Sequence, residues 1–406
     1  MTRLSTEYRR LWWAAAVDNV GDGAFAAAVA LLAVTITRDP RLISVVSAAT
    51  YLPWLVLSLP AGALVDRYDR AALMWRAQAL QAGLVAVVAV LAAFGTITIP
   101  VLAVLAFGLG AGEVVFGNAA QAILPDLVPK PLLHKANAAQ YTVTTIGQLF
   151  LGPPVGSLLF AVSVALPFGL DAGTFALSAA LLATLPRRAR PSGQLPIRTA
   201  IADGLRYLTR HRLLRTLALL LGVNNFCFQL GGVTLVLLAT RTLHLDARGY
   251  GLLLAGGAVG SVVGGLVNAR IIARTGALPA LLAALAANVL LFVGIGLAPD
   301  PAVLAVLLAG NGFVTGLWNI VTVSLRQQIV PSELLGRVNS VYRMLGWGLI
   351  PPGALTGGLV AHALGVRAGY PVAGAIRALA LLVALPVLVR ELSAERGPGG
   401  RRGRPR

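Results

Sequence analysis

Four carboxylates stand inside long apolar segments of the chain, at Asp18, Asp22, Glu113 and Asp171. Asp18 and Asp22 are four residues apart, so a helix presents both on one face. A carboxylate held away from water is costly unless it is neutralised, and a proton is one way to neutralise it. We therefore interpret Asp22, Glu113 and Asp18 as candidate proton carriers, with structural pairing to neighbouring polar helices as the alternative. Asp171 is interpreted as a structural capping or pairing residue.

The segments that hold these carboxylates are long enough to cross a membrane. Hydrophobic residues make up 57% of the 406 residues, charged residues only 12%, and the mean hydropathy is +0.80. About 20 residues of helix cover the hydrocarbon core of a bilayer. The sequence therefore predicts an all-α membrane protein with twelve transmembrane helices. The predicted spans cover residues 11–37, 42–65, 74–98, 100–124, 137–163, 166–185, 213–240, 249–269, 278–298, 302–325, 339–364 and 369–389.

The basic residues lie mostly on one side of these spans. The formal net charge is +18, and 26 of the 33 Lys and Arg residues fall on the side of the termini, against five on the other side. Basic residues accumulate on the cytoplasmic side of membrane proteins. We therefore expect a multi-pass protein of the cell (inner) membrane with both termini in the cytoplasm. The charge then reflects topology and contact with anionic lipid, not nucleic-acid binding.

The two halves of the chain repeat one another at a fixed offset of 202 residues. Matched pairs include Gly62 with Gly264, Gly108 with Gly310, Pro129 with Pro331, and Asn137 with Asn339. The predicted domains are a six-helix bundle over 1–185, a cytoplasmic linker over 186–212, a second six-helix bundle over 213–389 and a basic cytoplasmic tail over 390–406. Two parallel repeats of this kind hold a substrate cavity between them, near the middle of the membrane.

The loop after the second span carries the most specific motif. It reads Gly62-Ala-Leu-Val-Asp66-Arg67-Tyr-Asp69-Arg70 and resembles the signature loop of the major facilitator superfamily of transporters. The resemblance implies a gate latch formed by Gly62, Asp66, Arg67 and Arg70, with a simple basic turn as the alternative. Asn268 replaces Asp66 at the repeat position.

Three further segments resemble the drug:proton antiporter branch of this superfamily, which includes macrolide efflux proteins. These segments are Leu124 to Asn137, Asp203 to Leu208, and Arg326 to Asn339. In the fifth span, Gly152-Pro153-Pro154-Val-Gly156-Ser157 resembles the Gly-Pro motif of exporters, with a helix-packing groove as the alternative. The resemblance implies a major facilitator fold in which spans 1, 4, 7 and 10 line the cavity, and this brings Asp22 near Glu113.

The implied function is secondary active transport by alternating access. Proton-coupled efflux of a hydrophobic or amphipathic small molecule is favoured, a proton-coupled importer is the alternative, and a membrane-embedded enzyme is a more remote one. Asn224 and Thr315 stand at the repeat positions of Asp22 and Glu113, and neither titrates. The substrate-cavity candidates are Asn224, Asn225, Gln229, Asn311, Trp318 and Asn319. The span-borne cations Arg343 and Arg377 are expected to make structural pairs.

The remaining chemistry-bearing residues do not favour an enzyme. The four histidines lie far apart, the one cysteine cannot form a metal cluster, and no phosphate-binding Gly-rich loop precedes either lysine. We therefore expect no enzyme activity, no cofactor and no metal. The expected partners are a small-molecule substrate, protons and membrane lipid, with no nucleic acid, and the expected working unit is a monomer.

Overall fold

The computed structural model describes residues 5–129, 132–186 and 197–396, and these residues are almost entirely helical, with no strand among them. Eleven helices in these ranges are long and apolar enough to cross a membrane. The predicted all-α membrane architecture is therefore confirmed. The helices of the first half are α1 (Thr6–Ile36), α2 (Pro40–Val56), α3 (Ser58–Arg67), α4 (Arg70–Ala93), α5 (Ile99–Leu127), α6 (Leu133–Thr144), α7 (Gly152–Val162) and α8 (Leu166–Ala183).

The second half repeats this pattern after one additional helix. Its helices are α9 (Ile197–Arg210), α10 (Arg212–Leu237), α11 (Ala247–Thr275), α12 (Ala277–Leu297), α13 (Pro301–Ile329), α14 (Ser332–Gly348), α15 (Ile350–Leu364) and α16 (Gly369–Arg396). Short π-helical segments at Thr145–Leu151 and Leu238–Thr242 continue α6 and α10. The first residues of the predicted tail, 390–396, belong to α16, and residues 397–406 lie outside the described ranges.

The second predicted span is interrupted, which leaves eleven long helices where twelve spans were predicted. It forms α2 and α3, which meet at Leu57. Pro60 has no N–H to donate to the carbonyl of Val56, and its ring crowds that carbonyl, so one continuous helix is disfavoured here. The two pieces together cover the predicted segment, and neither alone meets the length of a span.

Prolines also interrupt the fifth and eleventh predicted spans, at places that lie about one helical turn apart when the halves are aligned at the repeat offset. In the fifth, the π-helical segment Thr145–Leu151 precedes Pro153 at the start of α7. In the eleventh, α14 gives way to α15 at Leu349, just before Pro351. Proline removes backbone donors, so the preceding turn widens or ends. Each half therefore has a proline-associated irregularity in this span, displaced by about one helical turn between the halves.

The helices pack into two compact units. Unit 1 takes the described residues of Met1–Leu195 and Leu235–Ala255, and unit 2 takes those of Pro196–Thr234 and Gly256–Arg406. This division differs from the predicted domains because the C-terminal end of α10 and the first turns of α11 pack within unit 1. In unit 1, for example, a Cβ on Gly251 of α11 would lie 2.6 Å from the Ser157 side chain of α7.

The internal repeat is visible as matching local structure. Helices α5 and α13 each have 29 residues and begin and end at the offset of 202. In unit 1, the Ser5 hydroxyl donates to the Leu127 carbonyl at 3.1 Å, and in unit 2 the Tyr207 hydroxyl donates to the Ile329 carbonyl at 3.1 Å. These four positions also match at that offset, so the segment before the first long helix of each unit binds the same place.

The predicted linker contains a helix that packs on unit 2. Its Asp203 carboxylate accepts a hydrogen bond from Arg337 of α14 at 2.7 Å. Gly204 faces the same helix so closely that a Cβ would lie 2.6 Å from the Arg337 carbonyl oxygen. Leu208 is buried in a cluster with Val338 and Val341. Two of the segments that resemble the drug antiporters therefore bind each other.

The Asp203–Arg337 ion pair gives a small, specific stability prediction. Both side chains are 30% exposed, so Arg337→Gln is expected to lower the free energy of unfolding by about 1 kcal/mol or less, a fall in melting temperature of about 2 °C. Arg206→Gln is the matched control, because Arg206 is 64% exposed and lies 3.5 Å from the same carboxylate. Thermal unfolding of the purified chain measures both. An equal loss in the control would contradict the assignment.

Candidate functional site

The four carboxylates of the apolar segments form one cluster in unit 1. Asp18 of α1 interacts electrostatically with Asp22 of the same helix, with Glu113 of α5 and with Asp171 of α8. Asp22 and Glu113 also interact with each other. Asp18 and Asp171 are buried, whereas Asp22 and Glu113 are half-buried. The cluster thus has two inner members and two that reach an accessible surface.

Glutamines of α4 supply hydrogen bonds to the cluster. The Gln78 amide donates to an Asp18 carboxylate oxygen at 2.9 Å, and both residues are buried. Gln81 lies beside Glu113, with its amide also donating to the Leu109 carbonyl at 3.3 Å. Sequence reasoning overlooked both glutamines. Their spacing of three residues within an apolar helix was the signal that could have identified them.

Asp171 joins the cluster through a close crossing of α8 and α1. The Thr174 hydroxyl donates to the Asp171 carboxylate at 3.3 Å. At Gly21 of α1, a Cβ would collide with the side chains of both Asp171 and Thr174. The absence of a side chain at Gly21 therefore lets Asp171 approach α1. In the structure, Asp171 pairs with the hydroxyl group of Thr174 rather than with a cation.

None of the four carboxylates forms an ion pair with a described basic residue. One oxygen of Asp18, one of Asp171 and the amide oxygen of Gln78 also have no hydrogen-bond partner within the described ranges. Four negative charges this close together in an apolar environment would repel one another and would each lose hydration. The arrangement therefore favours bound protons, or a cationic ligand, over a fully ionised cluster.

The signature loop is held to α5 by one of its arginines. Arg70 donates to the Asp126 carboxylate at 2.8 Å and to the Ala122 carbonyl, which ties the start of α4 to the end of α5. Arg67 is exposed, and a Cβ on Gly62 would meet no atom within 4 Å. The side chain of Asp66 lies outside the described part of the structure. A latch formed by these residues stays a prediction.

The Gly-Pro motif of the fifth span makes a helix crossing within unit 1. A Cβ on Gly152 would lie 2.5 Å from the Cα of Gly23, and one on Gly156 would collide with the backbone of Ala24. Pro153 is buried beside these glycines at the start of α7. The motif therefore supports close packing of α7 on the helix that carries Asp18 and Asp22. Its role as a directional gate stays a prediction.

Two of the substrate-cavity candidates on α10 form hydrogen bonds within unit 2. Asn225 donates to the Gly346 carbonyl at 3.0 Å, and the backbone carbonyl of Asn224 accepts from Arg377 at 2.9 Å. The side chains of Asn224 and Gln229 are half-buried. The guanidinium of Arg377 also lies 3.6 Å from the centroid of the Phe292 ring. Arg377 thus pairs with a carbonyl and a ring, and the side chain of Arg343 lies outside the described ranges.

The three candidates of α13 have different surroundings. Asn311 is buried and accepts a hydrogen bond from Asn288 at 3.0 Å. Trp318 is 5% exposed and packs in a core with Leu278 and Leu281. Asn319 is exposed. Two of these residues therefore lie in the core and one lies on an accessible face. Contact between these three residues and the substrate stays a prediction.

The repeated helical units and the intramembrane polar cluster define a polytopic membrane protein with an internal repeat. Two solved structures share this fold. A mutant form of the nucleoside transporter NupG has a TM-score of 0.75 at 13% identity, covering 94% of this chain and 99% of that one. A bacterial homologue of the iron transporter ferroportin in its inward-facing state has a TM-score of 0.75 at 14% identity, covering 95% of this chain and 100% of that one.

The sequence comparison identifies the family. The chain belongs to the transmembrane secretion effector family of the major facilitator superfamily, whose model matches residues 4–399. It is similar to the multidrug efflux pump Tap of Mycobacterium tuberculosis (strain ATCC 25618 / H37Rv), with 28% identity over 376 residues, 87% of this chain and 84% of Tap. It is also similar to Tap of Mycolicibacterium fortuitum, with 30% identity over 343 residues, 80% of this chain and 82% of that protein.

A shorter match links the chain to macrolide efflux. Macrolide efflux protein A of Streptococcus pyogenes is 24% identical over 156 residues, 38% of each chain. The predicted superfamily and its drug efflux branch are thereby confirmed, and the chain is a multi-pass membrane transporter of small molecules rather than an enzyme.

Proposed function

We propose that this transporter exports a hydrophobic or amphipathic small molecule in exchange for protons. The observation that carries the proposal is the cluster of four carboxylates in unit 1, none of which has a described basic partner. Such a cluster can bind a proton or a cationic substrate in turn, which is what exchange requires. The similarity to efflux pumps supports the outward direction.

The members of the cluster have different roles in this proposal. Asp22 and Glu113 are half-buried, so they can meet water and substrate and exchange the proton. Asp18 is buried against Gln78 and assists as an inner carrier that a cavity ligand does not reach directly. In unit 2, Asn224, Gln229 and Asn319 offer accessible amides that can bind polar groups of the substrate without titrating.

The proposal includes a topology. Both termini lie in the cytoplasm of a bacterial cell, because the basic residues concentrate on that side of the predicted spans. A single chain contains both repeats and works as a monomer. Alternating access exposes the substrate site first to one side of the membrane and then to the other. A cysteine introduced at Ser5 and another introduced at an exposed position of the 243–249 loop measure this orientation, through their labelling by a thiol reagent that cannot cross the membrane.

Transport in inverted membrane vesicles tests the function. Vesicles from cells that express the chain are expected to accumulate ethidium when their interior is made acidic, and control vesicles without the chain are expected not to. Collapsing the pH gradient with nigericin should release the dye. Accumulation by right-side-out vesicles with an acidic exterior would indicate an importer and contradict export. Dye movement that does not depend on the pH gradient would contradict proton exchange.

A further inference from the structure

A cavity of about 580 Å³ opens in unit 1 where the end of α1 meets the π-helical segment after α10. Its lining includes Thr37, Arg38, Arg241 and His244, and it includes no carboxylate. Two guanidinium groups and an imidazole therefore share one small space. The cavity contains neither the carboxylate cluster nor the signature loop.

Backbone atoms, not an acid, hold the more buried of the two arginines. The Arg241 guanidinium donates to the carbonyl of Arg38 at 3.2 Å and to that of Thr37 at 3.4 Å. These carbonyls lie just beyond the C-terminal end of α1, where backbone carbonyls lack helical partners and the helix dipole is negative. The contact orients Arg241 and leaves its formal positive charge without a carboxylate.

The acidic residues of the adjoining loops are engaged elsewhere. Asp39 binds Arg41 at 2.8 Å and lies outside the cavity lining. Asp246 accepts a hydrogen bond from the Gly249 amide at 2.8 Å, at the start of α11. Neither carboxylate neutralises Arg38 or Arg241 through an ion pair in the described structure.

The other polar groups of the lining can act as donors. The Thr37 hydroxyl oxygen accepts from the Asp39 amide at 3.2 Å, so its own hydrogen is available for another acceptor. His244 has a φ of 55°, a left-handed conformation that a residue with a Cβ rarely adopts. Strain of this kind persists where the surrounding structure holds a residue in place. Here it accompanies an exposed imidazole on the cavity wall.

We propose that this cavity binds a phosphate group, carried either by a free anion or by a lipid headgroup. Paired guanidinium groups bind phosphate oxygens through strong, charge-assisted hydrogen bonds, and the imidazole and hydroxyl add donors from other directions. A volume of about 580 Å³ accommodates the phosphate together with a small organic part. The cationic lining of this cavity favours an anionic ligand, whereas the carboxylate cluster repels one. The phosphate site is therefore distinct from the proposed exchange site.

Thermal unfolding of the full chain with inorganic phosphate tests the proposal. In dodecyl maltoside micelles, which contain no phosphate group, inorganic phosphate is expected to raise the melting temperature at constant ionic strength, because it binds the folded state. Arg241→Gln and Arg38→Gln are each expected to weaken phosphate binding by about tenfold or more, since each removes a charge-assisted contact. Arg248→Gln is the matched control, because Arg248 is exposed in the same loop region and does not line the cavity.

A lipid arm distinguishes the source of the phosphate. If the ligand is a headgroup, phosphatidylglycerol added to these micelles stabilises the chain where inorganic phosphate does not, and the gain disappears in Arg38→Gln. His244→Gly separates binding from folding, since glycine accepts the φ of 55° without strain yet removes the imidazole. It should keep or raise the melting temperature while weakening binding. Absence of stabilisation by either ligand, or an equal loss in Arg248→Gln, overturns the proposal.

Discussion

Asp22→Asn and Glu113→Gln are each expected to abolish gradient-driven accumulation of ethidium in inverted vesicles. Each change keeps the size and the hydrogen-bonding shape of the side chain and removes its ability to carry a proton. We expect accumulation to fall by about tenfold or more, because exchange without a titrating group becomes passive. Dye equilibration in the absence of a pH gradient should persist, which separates loss of coupling from loss of folding.

Asp246→Asn provides the control for both variants. Asp246 is an exposed carboxylate whose oxygen caps the start of α11, and asparagine caps helices about as well. Transport should therefore be unchanged. Wild-type coupling in both Asp22→Asn and Glu113→Gln would remove the basis for proton exchange at this cluster, while leaving the transporter fold and the phosphate site untouched.

Gly152→Val is expected to destabilise unit 1 strongly. A Cβ at this position would lie 2.5 Å from the Cα of Gly23 and 2.8 Å from the Val20 carbonyl oxygen. These are backbone atoms, which cannot move aside as a flexible side chain does, so α7 must separate from α1. Overpacking of this kind costs about 1–3 kcal/mol or more, and the melting temperature should fall by about 5 °C or more.

Gly83→Val is the matched control for this prediction. It makes the same substitution inside α4, where a Cβ would meet no other atom within 4 Å. Both variants make the same change in intrinsic helix propensity, so their difference isolates the crossing. Thermal unfolding in detergent or nanodiscs measures it. Equal melting temperatures would show that α1 and α7 do not pack as closely as described.

Hydropathy and repeat spacing predicted most of the fold because they report on long segments. The offset of 202 residues identified α5 and α13, whose bounds match at that offset. The break at Leu57 was missed, since hydropathy does not register a lost backbone donor at Pro60. Helix α9 was predicted as linker because it is too short and too charged to resemble a span. Its amphipathic pattern was the available signal.

The candidate site was predicted in part. An acid in an apolar helix is conspicuous, so Asp18, Asp22 and Glu113 were found from the sequence, and the structure has them interacting. Gln78 was missed because amides are less conspicuous than charges, and Asp171 was separated from the others because nothing local indicates that α8 crosses α1 at Gly21. For Trp318, residue type suggested a cavity, whereas the face on which it lies depends on helix rotation that spacing does not specify.

The matched hydrogen bonds Ser5 to Leu127 and Tyr207 to Ile329 are what a duplicated gene leaves behind. The two halves share this scaffold contact and differ in the chemistry of their spans. Only the first copy now has acids within its spans, whereas the second has Asn224 and Thr315 at the positions of Asp22 and Glu113. The chain is therefore asymmetric in its chemistry although it repeats in its structure.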